Sequence, residues 1–270
     1  MKTRGLEYGN RIRLSKRINR NIGARARDLL VAALGGTLTF VEVTVQATGM
    51  GPIRPLKFGS PLLVGIAINL ALIGTRAASY RPFLAMGSGS DFLIEAVVSM
   101  LATGVLVVVV SSFVDNGPLL RPASLAGLCG GLLLVVHMGL ELFGNHVGED
   151  SRITLTFMSA AFTTWAGAAY FVTRRSCQIT FGVLAGCWAA LTSVIIVVTL
   201  GLTLTFFDVP HASYVATWPE FKASGWTDPK AFAIANSLES ASNHLVAAVV
   251  IGLIMGVVGA SVAHFVRSAA

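Results

Sequence analysis

The chain of 270 residues is 54% hydrophobic and only 12% charged, with a mean hydropathy of +0.73; a water-soluble domain of this composition would expose large apolar patches. A net charge of +7 on so apolar a chain points to a membrane surface as its electrostatic partner. Its three cysteines, Cys129, Cys177 and Cys187, include no C-x-x-C pair, which argues against a disulfide framework and a thiolate zinc site.

The positive charge lies at the start of the chain, where nine Lys and Arg from Lys2 to Arg27 oppose two acids, Glu7 and Asp28. The remaining 11 basic residues are balanced by 11 acidic ones. Leu14, Ile18, Ile22 and Ala26 recur every four residues among Arg13, Lys16, Arg17, Arg20 and Arg25. That stripe predicts a basic amphipathic interfacial segment over 1–28, held on anionic lipid head groups by those five cations. Its position directly before an apolar segment favours lipid over nucleic acid, and its charge places this end in the cytoplasm. No A-x-A site follows, so the first apolar segment is expected to stay in the chain rather than be cleaved as a leader. The expected location is a bacterial inner membrane.

Seven apolar segments follow within one membrane domain, 29–270: Leu29–Ala47, Pro61–Thr75, Phe92–Val114, Ser124–Phe143, Ile153–Val172, Ile179–Phe207 and Leu245–Phe265. About 20 apolar residues cross a bilayer core as a helix, and backbone groups in lipid must bond internally. The predicted fold is therefore an all-α polytopic transmembrane helix bundle of six to seven spans. Alternating runs typical of a membrane β-barrel are absent from the sequence. Pro61–Thr75 is the short segment, about 22 Å as a helix, and is read as either a thin span or a re-entrant one. Counting Lys and Arg does not choose between them: seven spans put 14 inside and 6 outside, and six spans put 13 inside and 7 outside.

Ionisable groups are costly in hydrocarbon and usually face a bundle interior or a pathway. Glu42, Glu95, His137, Glu141, Glu239 and His244 are such groups here. In both topologies Glu95, His137, Glu141, Glu239 and His244 fall in one leaflet, whereas Glu42 joins them only if six segments cross. His137 and Glu141, four residues apart, share one helix face, and Asn145 extends the row; the pair suits a proton relay, metal ligation or a structural hydrogen bond. The last helix is expected to start early, capped by Thr227 or Asp228 with Pro229 in its first turn. Its first half then stands at the surface or in a vestibule and presents Asn236, Glu239, Ser240, Asn243 and His244. The 208–230 extramembrane connection carries Asp208, His211, Tyr214, Trp218, Phe221 and Trp226, read as an interfacial aromatic belt or a lid.

Gly127-x-x-x-Gly131, Gly182-x-x-x-Gly186 and Gly252-x-x-x-Gly256 place small residues on single faces, for packing inside the bundle or against another subunit. Leu34–Val43 and Leu200–Val209 share a faint similarity, each ending in an acid and a valine, which would fit a repeat. Ser90 or Asp91 reads as the cap of the third segment. No Walker A loop, H-E-x-x-H, G-x-S-x-G or dinucleotide fingerprint occurs.

The leading functional reading is a transport or channel-like protein, alone or as a subunit. It would move an ion, proton or small solute along a pathway lined by Glu95, His137, Glu141, Glu239, Asn243 and His244. The alternatives are a membrane oxidoreductase with His137 and His244 as axial haem ligands, and a scaffold or assembly subunit. The sequence names no metal and no cofactor. The expected partners are anionic lipids and either further copies of the chain or a membrane subunit.

Overall fold

The structure is a computed structural model that describes residues 60–113, 117–143, 151–207 and 215–268. The basic segment with Arg13, Lys16, Arg17, Arg20 and Arg25, the first apolar segment with Glu42, and Asp208, His211 and Tyr214 lie outside the described residues. Every described helix belongs to one compact unit, Arg54–Ala270.

Among the described residues the regular structure is entirely α-helical. Eight helices follow in order: α1 Ser60–Ser79, α2 Pro82–Ala85, α3 Gly89–Phe113, α4 Gly117–Phe143, α5 Ser151–Ser176, α6 Ile179–Phe206, α7 Pro219–Ser224 and α8 Pro229–Ser268. Six of them, α1, α3, α4, α5, α6 and α8, are long and apolar enough to cross a membrane, which makes this a polytopic membrane protein. They correspond to the second to seventh predicted segments.

The short second segment is a complete helix of 20 residues, about 30 Å long at 1.5 Å per residue, enough to cross a bilayer core. Apolar counting stopped at Thr75, but the helix carries Arg76 in its last turn, where a cation suits the carbonyl end. Helix α3 starts at Gly89, with the Ser88 carbonyl accepting from the N–H groups of Asp91 and Phe92. Ser90 and Asp91 therefore sit inside the first turn rather than at the cap.

Helix α6 is the centre of the bundle: 67% of its span is buried, against 22–33% in the other five. It packs against α1, α4, α5 and α8, and α8 packs in turn against α3 and α5. Contacts at two heights fix the directions. Gly65 meets Ile195 and the Arg76 guanidinium lies over the Phe206 ring, so α1 runs parallel to α6. Gly127 meets Ala189 and Met138 meets Gly201, so α4 is parallel too. Ser237 bonds Thr205 and Gly256 meets Val183, so α8 is antiparallel to α6. Helix α5 opposes α4, with Gly130 beside Trp165 and His137 beside Thr154. Helix α3 returns after α1 and reaches Ile66 through Gly104.

All three glycine pairs are consumed inside the bundle. A Cβ added at Gly186 would lie 2.5 Å from Gly256 Cα, and one at Gly256 would lie 2.6 Å from the Val183 carbonyl oxygen. One at Gly127 would lie 2.6 Å from the Ala189 carbonyl oxygen. These seams let helix backbones approach closely where the membrane offers little hydrophobic drive. Beside them, Trp165 Nε1 donates to Ser193 Oγ at 2.9 Å, and Ser193 Oγ donates to the Gly127 carbonyl at 2.8 Å.

Helix α8 has 40 residues, about 60 Å and roughly twice a bilayer core. The Asp228 carboxylate caps it, accepting from the N–H of Lys230 at 2.9 Å and of Ala231 at 3.2 Å. The expected surface-standing first half is only partly so. Ala231, Phe232, Ala233, Ile234 and Ala235 are all buried, because Val215, Trp218, Phe221 and Trp226 fold back over Phe232 and Ala233 and α2 packs alongside. Phe221 and Trp226 both meet the Phe232 ring edge-on, at 5.4 Å and 6.0 Å. Trp226 also lies against Gly87, whose φ of 49° belongs to the left-handed region open to glycine.

Candidate functional site

The predicted ionisable residues of the spans lie toward the end of the bundle where α1, α4 and α6 finish and α3, α5 and α8 begin. Glu95 stands in the second turn of α3, His137 near the end of α4, and Glu239, Asn243 and His244 in the first half of α8. They share an end of the molecule but do not form one cluster. Among the described residues no three His, Cys, Asp or Glu side chains come together in a metal-holding group.

The most developed arrangement joins α3 to α8. Ser242, fully buried, donates its hydroxyl hydrogen to Glu95 Oε1 at 3.1 Å, and its Oγ lies 2.8 Å from Ser99 Oγ. Because the Ser242 hydrogen is directed at the carboxylate, Ser99 supplies the hydrogen of the second bond. Thr103, 4% exposed, donates to the Ser99 carbonyl at 2.8 Å. The Glu95 side chain is exposed on α3, so an accessible carboxylate is continued into the bundle by two hydroxyl groups. Small hydroxyl residues fit here because α3 and α8 approach closely, and each hydroxyl finds a partner across the helix gap.

His137 joins α4 to α5. It is 5% exposed, its Nε2 lies 3.1 Å from Thr154 Oγ1 on α5, and its ring tilts against Phe157 at 5.6 Å. Glu141 occupies the next turn of α4, and its side chain lies outside the described residues. On α8, Glu239 is half-buried, whereas Asn243 and His244 are exposed. His244 Nδ1 faces the Ser240 carbonyl of its own helix at 2.6 Å. His137 and His244 lie at similar depths along α6, but α4 and α8 do not pack against each other.

Two features were not singled out in the sequence. Asn69, in the middle of α1, is fully buried, and among the described residues neither its Nδ2 nor its Oδ1 has a hydrogen-bond partner. A lone amide in an apolar segment is a readable signal, masked here because that segment looked too short to be a span. The second feature ties the helix ends together. Tyr80 Oη donates to Asp228 Oδ2 at 2.5 Å, while the Arg76 guanidinium and the Lys230 ammonium lie 5.5 Å and 5.4 Å from the centre of the Tyr80 ring. Burial pushes the Asp228 carboxyl up. The Tyr80 hydroxyl, the two backbone N–H groups and the Lys230 charge outweigh it and hold the acid below its ordinary value of 3.8.

No family model, curated protein or solved structure matches the chain.

Proposed function

We propose that this membrane protein is a small transporter or channel subunit that carries a proton or small cation through a polar track headed by Glu95. The observation behind this reading is the Glu95–Ser242–Ser99 chain of hydrogen bonds, at 3.1 Å and 2.8 Å, between two membrane-crossing helices. A carboxylate accepts and releases protons, and linked hydroxyls pass them on by reversing their hydrogen bonds; the same oxygens suit a hard cation. Glu239, Asn243 and His244 flank the entrance on α8, and His137 with Glu141 marks the α4 side of the same end. The setting proposed is a bacterial inner membrane, with the basic N-terminal segment on anionic lipid and a homo-oligomer or partner subunit completing the assembly.

The test is ion flux into liposomes containing the purified protein, followed with an internal pH dye and with cation-sensitive probes under an imposed potential. Glu95→Gln keeps the shape and removes the charge; it is expected to reduce flux at least tenfold while leaving the melting temperature within a few degrees. Wild-type flux through that variant would sink the proposal.

A further inference from the structure

Asn69 is the buried polar group that the track from Glu95 leaves unused. It is fully buried with both amide atoms unpartnered among the residues around it. A buried amide without partners is unfavourable, so in a native structure it calls for a water, an ion or a ligand. Its direction follows from its neighbours on α1. Gly65 meets Ile195 on α6, and Ile66 meets Gly104 on α3. Asn69 comes one helical turn later on the same face, at the junction of α1, α3 and α6.

Helix α3 is antiparallel to α1, so the turn opposite Asn69 is the one preceding Gly104, which contains Ser99 and Thr103. The matching turn of α6, one turn beyond Ile195, contains Thr199. Ser99 is already joined to Ser242 and through it to Glu95. The α1–α3–α6 junction therefore carries the Asn69 amide with the hydroxyls of Ser99, Thr103 and Thr199, and Ser242 leads from Ser99 to the Glu95 carboxylate, which stands roughly 9 Å nearer the start of α3.

The chemistry of that set is selective. Its donors are hard oxygens, and it brings no histidine or thiolate of the kind transition metals favour. Calcium and magnesium sites commonly bring several carboxylates or retained waters, whereas the ligands here are neutral and the one carboxylate, Glu95, stands on the way in, which suits a single positive charge. We infer that Asn69 is the inner ligand of a monovalent alkali-cation site at the α1–α3–α6 junction, entered from Glu95 by way of Ser242 and Ser99. This deepens the transport reading above and rests on it for the cation's route.

A ligand that binds the folded state raises the melting temperature by mass action. The full chain, purified in detergent, is melted by tryptophan fluorescence while sodium chloride or potassium chloride replaces choline chloride at constant ionic strength. The wild type is expected to show a saturable rise with at least one alkali cation. Asn69→Leu fills a similar volume without polar atoms and is expected to lose that rise. Asn69→Asp adds a negative charge and is expected to shift the titration several-fold toward lower cation concentration, which keeps the test decisive if the leucine variant does not fold.

Identical melting of the wild type in all three salts would overturn the site, as would a saturable rise retained in Asn69→Leu. The flux assay keeps the two proposals apart. Flux that depends on Glu95 without any cation-dependent melting removes the site and leaves the transport reading. Cation-dependent melting that needs Asn69, in a protein without flux, keeps the site and removes the transport reading.

Discussion

Where α4, α5 and the second half of α8 gather around α6, the bundle is held by glycine against backbone, and its buried tryptophans Trp165 and Trp188 donate to Ser193 and Ser124, while the Thr173 hydroxyl beside Gly182 is left without a partner among the described residues. Gly186 faces Gly256, Gly127 faces Ala189, and Trp165, Ser193 and Gly127 form a closed hydrogen-bond set. Where α3 packs against α1 on one side and the first half of α8 on the other, contact is mediated by side chains, and a whole amide and a carboxylate-bound hydroxyl are buried. Asn69 is unsatisfied there, and Ser242 depends on a carboxylate exposed on its outer side. The first region is optimised for packing. The second retains groups that cost stability, and such costs persist where function requires them.

That contrast is broken most directly at the seam. Gly256→Val drives a branched side chain into the Val183 backbone and is expected to destabilise the fold by about 3 kcal/mol or more. The readout is a lowered detergent melting temperature and aggregation on size-exclusion chromatography. A valine tolerated without loss would show that the seam is loose.

Next in size is Ser193→Ala. It leaves the indole N–H of Trp165, 2% exposed, without its acceptor and should cost roughly 1–3 kcal/mol, read as a lower melting temperature and a changed Trp165 emission. At the opposite region the sign should reverse. Asn69→Leu removes an orphan amide and is expected to stabilise the cation-free protein by about 1–2 kcal/mol. A destabilised leucine variant in choline chloride would mean that the amide is satisfied in the native membrane protein.

The smallest effect expected concerns the Asp228 cap. Its carboxyl is held below 3.8 in the folded protein, so its contribution is present above the unfolded value and is lost as pH falls through the folded one. Melting temperatures measured from pH 6 to pH 3 should therefore decline less steeply in Asp228→Asn than in the wild type. Because the group is partly exposed at the end of the bundle, solvent screening keeps this difference small.

Much of the fold was legible because periodicity and composition act locally. The apolar segments, the Asp228 cap and the Pro229 start of α8 were all present in the chain as length, hydropathy and capping chemistry. The end of α1 was not, because Arg76 and Tyr80 break the apolar run while remaining helical, supported by the Phe206 ring and Asp228 from distant helices. For the same reason Asn69 escaped notice. The side chains of Glu95 and Ser242 meet through helices separated by most of the chain, so nothing in either segment announces the pair. His137 was readable as a buried polar group in a span, but its hydrogen bond to Thr154 on α5 joins two helices and is announced by neither segment.

By itself the sequence determined that this chain enters a membrane, that it does so as helices, and that Glu95, His137, Glu239 and His244 fall toward one end, because hydrocarbon solvation acts on each segment independently and consecutive spans alternate in direction. Tertiary structure decided which faces met. It turned the glycine pairs inward, seated α6 at the centre, set Thr154 of α5 beside His137, and joined Glu95 to Ser242 and Ser99. Those outcomes depend on how six helices share a limited set of close contacts, a choice made by packing across the whole bundle and written in no single segment.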